Sequence, residues 1–155
     1  MDYIKYLREM VGHKPVIMVA AGVAIFDKQG RVLMHHRKED DLWGLVGGFM
    51  NLGETVEEAA RREVYEEVGL ELGEIKLFDV FDNPIHMLPS GDQVQSVMIF
   101  FTCHDYTGTA RVNDNEGKEV EFVKLSEIPD DKYLKLPKVI NAVREHYQNK
   151  TIKVN

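Results

Sequence analysis

Glu63, Glu66 and Glu67 stand at spacing i, i+3 and i+4 in a segment that reads as a helix. At roughly 100° per residue, Val56, Ala59, Ala60 and Val64 mark its apolar face. Glu63 and Glu67 project onto that same face one turn apart, with Glu66 beside them, while Glu58, Arg61, Arg62 and Tyr65 occupy the far side. Three unfavourable effects meet here. Carboxylates in an apolar sector lose hydration. Like charges at this spacing repel one another. The C-terminal end of a helix disfavours anions. A missing positive partner would relieve all three, and clustered carboxylate oxygens suit a hard divalent cation, Mg²⁺ or Mn²⁺. The plainer alternative is a solvated acidic helix end paired with Arg61 and Arg62.

The elements that must position these acids are legible along the chain. The acid-bearing helix is expected over 55–68, with Thr55 as N-cap, Glu58 completing a capping box and Gly69 as its stop. Residues 16–26 are rich in Val, Ala and Ile and read as a strand buried on both faces. Asp27–Gly30 is a turn signal and Arg31–Arg37 the returning strand. A polar loop, Lys38–Asp41, leads to a glycine-rich stretch, Leu42–Gly48. Further strands are expected at 74–82, 93–103 and 119–125, separated by loops at 83–92 and 105–118. A first helix over 2–11 carries Ile4, Leu7 and Val11 at helical spacing, with Met10 as a further candidate for that side, ended by Gly12 and Pro15. A last helix over 137–148 has Val139, Ile140, Val143 and Tyr147 as its apolar stripe. With no repeat and no linker, residues 1–155 read as a single mixed α/β domain, 1–13 being an N-terminal helical extension.

Composition narrows the function classes. The net charge of −7 argues against stable nucleic-acid binding, which needs a basic patch. A phosphorylated substrate is still admissible, because divalent cations can stand between an acidic site and a polyanion. The single cysteine, Cys103, lies in an apolar run and reads as a small buried residue, so no intrachain disulfide or cysteine zinc site forms. No apolar run is long enough to span a membrane, no signal-peptide pattern opens the chain, and a cytoplasmic location is the default expectation.

The wider spacing is more specific than the helix alone. Gly48 is followed by five residues, Glu54, seven residues, and then Arg62-Glu63-Val64-Tyr65-Glu66-Glu67-Val68-Gly69-Leu70. This pattern over residues 48–70 resembles the Nudix box at every defined position. The flanks, Leu33-Met34-His35-His36-Arg37 and Trp43-Gly44-Leu45 before Gly47-Gly48, are similar to the family too, and the likeness extends over about 16–136. It implies the α/β class, specifically a Nudix-type (MutT-like) α/β/α sandwich around a mixed β-sheet, here with a short N-terminal helix added. It implies metal-dependent hydrolysis of a pyrophosphate bond by attack of water on phosphorus. The substrate would be a nucleoside diphosphate derivative: a nucleoside triphosphate, an oxidised nucleotide or a nucleotide sugar such as ADP-ribose.

Residue by residue, the resemblance implies that Glu63, Glu66, Glu67 and the Gly48 carbonyl bind the metal, Mg²⁺ or alternatively Mn²⁺. Arg62 and Glu54 would pair and hold Glu63 in place. The ions would neutralise the diphosphate and acidify a water. The general base stays open among Glu63, Glu116, Glu119 and Glu121. Arg37, Glu116 and Glu119 are candidate substrate contacts, Arg37 through its planar fork, with a surface ion pair as its alternative role. One departure stands out: Val46 occupies a place where many relatives carry proline, which would stiffen the loop entry. A second reading follows from it, a non-catalytic Nudix domain that senses or scaffolds nucleotide.

The remaining signals read as structure. Trp43 is expected to anchor the core beside the glycine loop rather than stack on a base. His35 and His36 must point to opposite faces of their strand. Asn113–Gly117 fails as a calcium loop and reads as a turn, as does Asp82-Asn83-Pro84. The N-terminal helix covers either its own chain or a second subunit, so a homodimer is the expected assembly.

Overall fold

The computed structural model describes the backbone of residues 2–154 and the side chains of residues 2–148. Helix α1 (Tyr3–Val11) precedes β1 (Val16–Ile25) and β2 (Val32–Arg37). The glycine-rich stretch forms β3 (Trp43–Gly44) and β4 (Val46–Phe49), and α2 (Val56–Val68) follows. Then come β5 (Glu71–Leu72), β6 (Ile75–Met87), β7 (Gln93–Cys103), β8 (Tyr106–Thr107), β9 (Gly117–Val123) and α3 (Pro137–Val154).

Two sheets and a short ladder organise the chain, in the orders β4-β1-β7-β6, β3-β2-β9 and β5-β8. Strand β1 runs parallel to β7 and antiparallel to β4, so the larger sheet is mixed. Alternation along β1 sends Ala21, Val23 and Ile25 to one side, where they meet Ala59, Ala60, Val64 and Val68 of α2. Ala24, followed by Phe26, faces the other side and packs with Ile140 and Val143 of α3. Met98, Phe100 and Phe81 join Val139 on that face. One helix on each face of mixed strands makes the α/β/α sandwich.

Helix α2 starts where its capping box places it. Thr55 Oγ1 accepts from the Glu58 N–H at 3.1 Å, and the Thr55 N–H donates back to Glu58 Oε2 at 3.3 Å. Gly69 ends it at φ +74°, the left-handed region that glycine enters freely. Helix α1 is capped by Asp2 and lies on its own chain: the Tyr3 N–H donates to Asn51 Oδ1 at 3.1 Å, and Arg8 donates to the Gln93 carbonyl at 2.7 Å.

Four expectations are corrected. The loop expected over 83–92 is strand as far as Met87. Pro84 is tolerated there because β6 is an edge strand and its pairing with β7 is irregular between Asn83 and His86, so no ladder donor is lost. The last strand is shifted to 117–123, and α3 runs to Val154 instead of ending at 148. Strand β1 is buried on both faces only in its second half, since Ile17 near its start is 67% exposed.

The glycine-rich stretch lets two strands approach unusually closely. A Cβ on Gly47 would lie 2.5 Å from the Ala21 carbonyl oxygen and 2.6 Å from the Gly22 Cα. Val46 beside it is fully buried in the α2-side core, so it serves as a packing residue. Gly47→Ala is therefore expected to destabilise the protein by about 1–3 kcal/mol through overpacking. Urea unfolding measures this; an unchanged midpoint would refute the close approach.

Candidate active site

Glu63 and Glu67 of α2 face the β4 strand, while Glu66 beside them is more than half exposed. The Glu63 carboxylate packs on Gly48 so tightly that a Cβ there would sit 2.6 Å from its carboxyl carbon. Arg62 starts on the far side of the wheel but its long side chain wraps round. Its Nε and Nη2 donate to Glu54 at 2.5 and 3.0 Å, and its Nη1 donates to Glu63 Oε1 at 2.8 Å and Glu66 Oε2 at 3.2 Å. The remaining Nη2 donation reaches the Phe49 carbonyl at 3.1 Å. This bonding holds the Glu54 carboxyl below its ordinary range and raises the Arg62 guanidinium further. Glu54 also accepts from the Asn51 N–H at 2.7 Å, which ties the loop before α2 to the same network.

Glu67 is the deeply buried member, only 3% exposed. Burial pushes its carboxyl well above the ordinary range, Arg37 and the Gly47 N–H pull it down, and the neighbouring Glu63 pushes it up. Burial likewise raises Glu63, against the pull of Arg62. Glu67 Oε2 accepts from the Gly47 N–H at 3.3 Å, while Oε1 lies 3.5 Å from Arg37 Nη1. Arg37 also reaches Glu116 Oε2 at 3.4 Å. Arg61 is committed elsewhere, to the Leu72 and Gly73 carbonyls and Glu57, so it relieves none of this charge.

Tertiary structure adds the loop before β9. Oxygens of Asp114 and Glu116 come within 4.8 Å of Glu67 and of each other. Asp114 Oδ1 caps the Glu116 and Gly117 N–H groups at 3.1 and 3.2 Å, the turn expected from the sequence. The loop is clasped to the end of α2: the Arg111 and Asn113 N–H groups donate to the Val68 and Glu67 carbonyls at 3.0 Å, and Asn113 Nδ2 donates to the Tyr65 carbonyl at 3.0 Å. The result is a cleft of about 650 Å³ lined by Arg37, Gly48, Glu63, Glu66, Glu67, Asp114 and Glu116, with Ile4 and Tyr65 on its rim. Glu54, Glu63, Glu66, Glu67, Asp114 and Glu116 bring six carboxyl groups to two guanidinium groups, Arg37 and Arg62. That shortfall, in a hard-oxygen donor set, fits a divalent cation.

Not every candidate converges. Glu119 pairs across from His36 and Glu121 from Met34, so strand alternation turns both away from Glu67. Glu119 lies 3.5 Å from His36 Nδ1 on that other face. Trp43 stacks on His36 at 4.6 Å and packs against the α3-side core. Asp114 and His35 escaped the sequence reading. Asp114 was hidden inside a turn motif; the fully buried His35 gave only the signal of alternation, which puts it on Glu67's side of β2. Burial lowers its pKa and keeps the ring neutral.

The raised Glu67 pKa has a definite sign for stability. The folded state binds this proton more tightly than the unfolded chain, so the contribution is fully present below the ordinary value of 4.5 and is lost as pH rises through the folded value. Without divalent cation, Glu67→Gln should therefore melt higher than the unsubstituted protein at pH 7–8, by about 2–4 °C for each kcal/mol relieved. The gap should close in acid below the ordinary glutamate range. Thermal unfolding across pH checks it; an equal or lower midpoint for the variant at neutral pH would contradict the assigned strain.

Comparison with known proteins agrees with this geometry. The NUDIX domain model matches residues 16–143. The chain is 35% identical over 108 residues to an ADP-ribose pyrophosphatase of Methanocaldococcus jannaschii, covering 68% of this chain and 61% of that protein. It is 38% identical over 66 residues to an RNA pyrophosphohydrolase of Edwardsiella ictaluri, covering 43% of this chain and 35% of that one. The chain thus spans less than two thirds of the length of either relative. The crystal structure of a MutT NUDIX hydrolase from Burkholderia pseudomallei superposes with a TM-score of 0.70 at 29% identity, over 83% of this chain and 98% of that one. The matched span contains β1, the glycine-rich strands, the acid helix and the clasped loop, and on that basis the chain belongs to the NUDIX domain family.

Proposed function

We propose that the protein is a Mg²⁺-dependent pyrophosphohydrolase, with Mn²⁺ as a substitute, acting on a nucleotide-sized nucleoside diphosphate derivative. One observation carries this reading: Glu67 is buried beside Glu63, Asp114 and Glu116, with too few cationic side chains to balance them. Glu63, Glu66, Glu67 and the Gly48 carbonyl are the residues to hold the cation, with Asp114 and Glu116 next to them. When bound, it supplies Lewis-acid neutralisation of the diphosphate charge.

The chain's own residues do the rest. Arg62, fixed by Glu54, holds the Glu63 carboxylate against Gly48. Arg37 lines the acidic cleft and also an adjoining apolar recess formed by Ala20, Leu45, Met98, Phe100 and Leu136. It is placed to grip a phosphate where the two meet. Glu116, more than half exposed at the cleft, is the general base that accepts a proton from the attacking water as the P–O anhydride bond breaks. Glu119 and Glu121 face away, which favours Glu116 among the loop and strand acids. The net charge of −7 favours a free nucleotide over a long polyanion such as RNA.

The test is product analysis after incubation with Mg²⁺ and a panel of nucleoside triphosphates, oxidised nucleotides, ADP-ribose, nucleotide sugars and 5′-triphosphorylated RNA. Cleavage of one nucleotide class is expected, abolished by EDTA and reduced at least about 100-fold in Glu67→Gln. Nucleotide bound but never cleaved would establish the sensor reading instead.

A further inference from the structure

We infer that His35 is a positioning residue for Glu67, its Nδ1–H directed at Glu67 Oε2 so that Oε1 is presented to the cleft. The inference rests on the cation-binding reading of the cleft proposed above. His35 is 0% exposed, and neither ring nitrogen has a hydrogen-bond partner among the described residues. Its Nδ1 lies 3.8 Å from Glu67 Oε2. Its Nε2 faces Gly117, where any Cβ would overlap the ring.

An imidazole buried with both nitrogens idle is a poor packing residue, since an aliphatic side chain fills the same space without orphaned polar atoms. The neutral ring has one N–H. On Nε2 that hydrogen would lie on the Gly117 side of the ring. On Nδ1 it lies on the side of Glu67 Oε2. The gap to Oε2 exceeds a normal hydrogen bond by about 1 Å, which a small carboxylate rotation closes.

Glu67 is asymmetric in the way this role requires. Oε2 accepts from the Gly47 N–H at 3.3 Å, and Oε1 is turned toward Arg37 at 3.5 Å. A second donor on Oε2 fixes the rotation of the carboxylate about its last bond and leaves Oε1 as the cleft-facing oxygen. Gly117 belongs to the device: it opens the space for the ring and sits at the end of the turn that carries Asp114 and Glu116. Neighbouring His36, turned to the opposite face, stacks on Trp43 and shares none of this.

The experiment measures Mn²⁺ binding by electron paramagnetic resonance, without substrate, in the unsubstituted protein, His35→Leu and His35→Asn. Leucine keeps bulk without a donor; asparagine keeps an N–H near the Nδ1 position. A roughly 10–100-fold weaker affinity for His35→Leu is expected, largely recovered in His35→Asn. Equal affinity in all three, or no recovery with asparagine, overturns the role of His35 while leaving the cation site standing. No Mn²⁺ binding by the unsubstituted protein overturns the reading of the cleft itself. Should His35→Leu fail to fold, ¹⁵N NMR of the unsubstituted protein decides. An Nδ1–H tautomer whose Nδ1 signal moves with Mg²⁺ supports the role, and an Nε2–H tautomer or a ring insensitive to Mg²⁺ overturns it.

Discussion

Burying Glu67 at the C-terminal turn of α2 is the constraint around which the rest of the structure is arranged. A carboxylate there is desolvated, faces the negative end of the helix dipole and lies one turn from another, partly buried acid, Glu63. The surrounding groups read as partial answers. The Gly47 N–H and Arg37 reach the carboxylate itself. The loop before β9 donates to the Glu67 and Val68 carbonyls that would otherwise end the helix unpaired, and adds a second bond to the Tyr65 carbonyl, which already accepts from the Gly69 N–H. The Arg111 guanidinium lies over Gly69, close enough that a Cβ there would touch it, and so sets a positive charge at that helix end. The loop that relieves the helix terminus also carries Asp114 and Glu116 to the cleft, so stability and site assembly share the same contacts.

Backbone proximity does much of the positioning. Gly47 lets β4 close on β1, and Gly48 lets Glu63 lie flat on that strand. Because α2 is seated by Ala59, Ala60, Val64 and Val68 in the core, its acids inherit the rigidity of the sandwich instead of the mobility of a surface loop. The network extends to the N-terminal helix. Asn51 accepts from Tyr3 and donates to Glu54, which holds Arg62, which holds Glu63. A segment outside the matched family span is therefore bonded into the carboxylate network, and its Ile4 stands on the cleft rim.

The sequence was most readable where local rules act alone. The capping box and Gly69 bound α2 almost to the residue because both are satisfied within a single turn. Alternation correctly separated His35 from His36. It was less secure where an edge or a register shift changes the rule. Pro84 looked like a turn because its missing donor matters in a central strand, and only the sheet order reveals that β6 is an edge. Glu119 and Glu121 looked equivalent to Glu116 because the register of β9 against β2, which turns them away, is a non-local property.

What the sequence by itself determined is the acid helix, its conflict with its own apolar face, the box spacing and hence the family. These follow from 3.6-residue periodicity and from residue types at fixed separations along one segment. Tertiary structure alone decided that Asp114 joins Glu67, that Glu119 does not reach the cleft, and that His35 is sealed behind it. Each depends on segments more than 30 residues apart meeting once the core has closed. Charge and hydrogen bonding act over a few ångströms of space, and only the packed fold sets those distances.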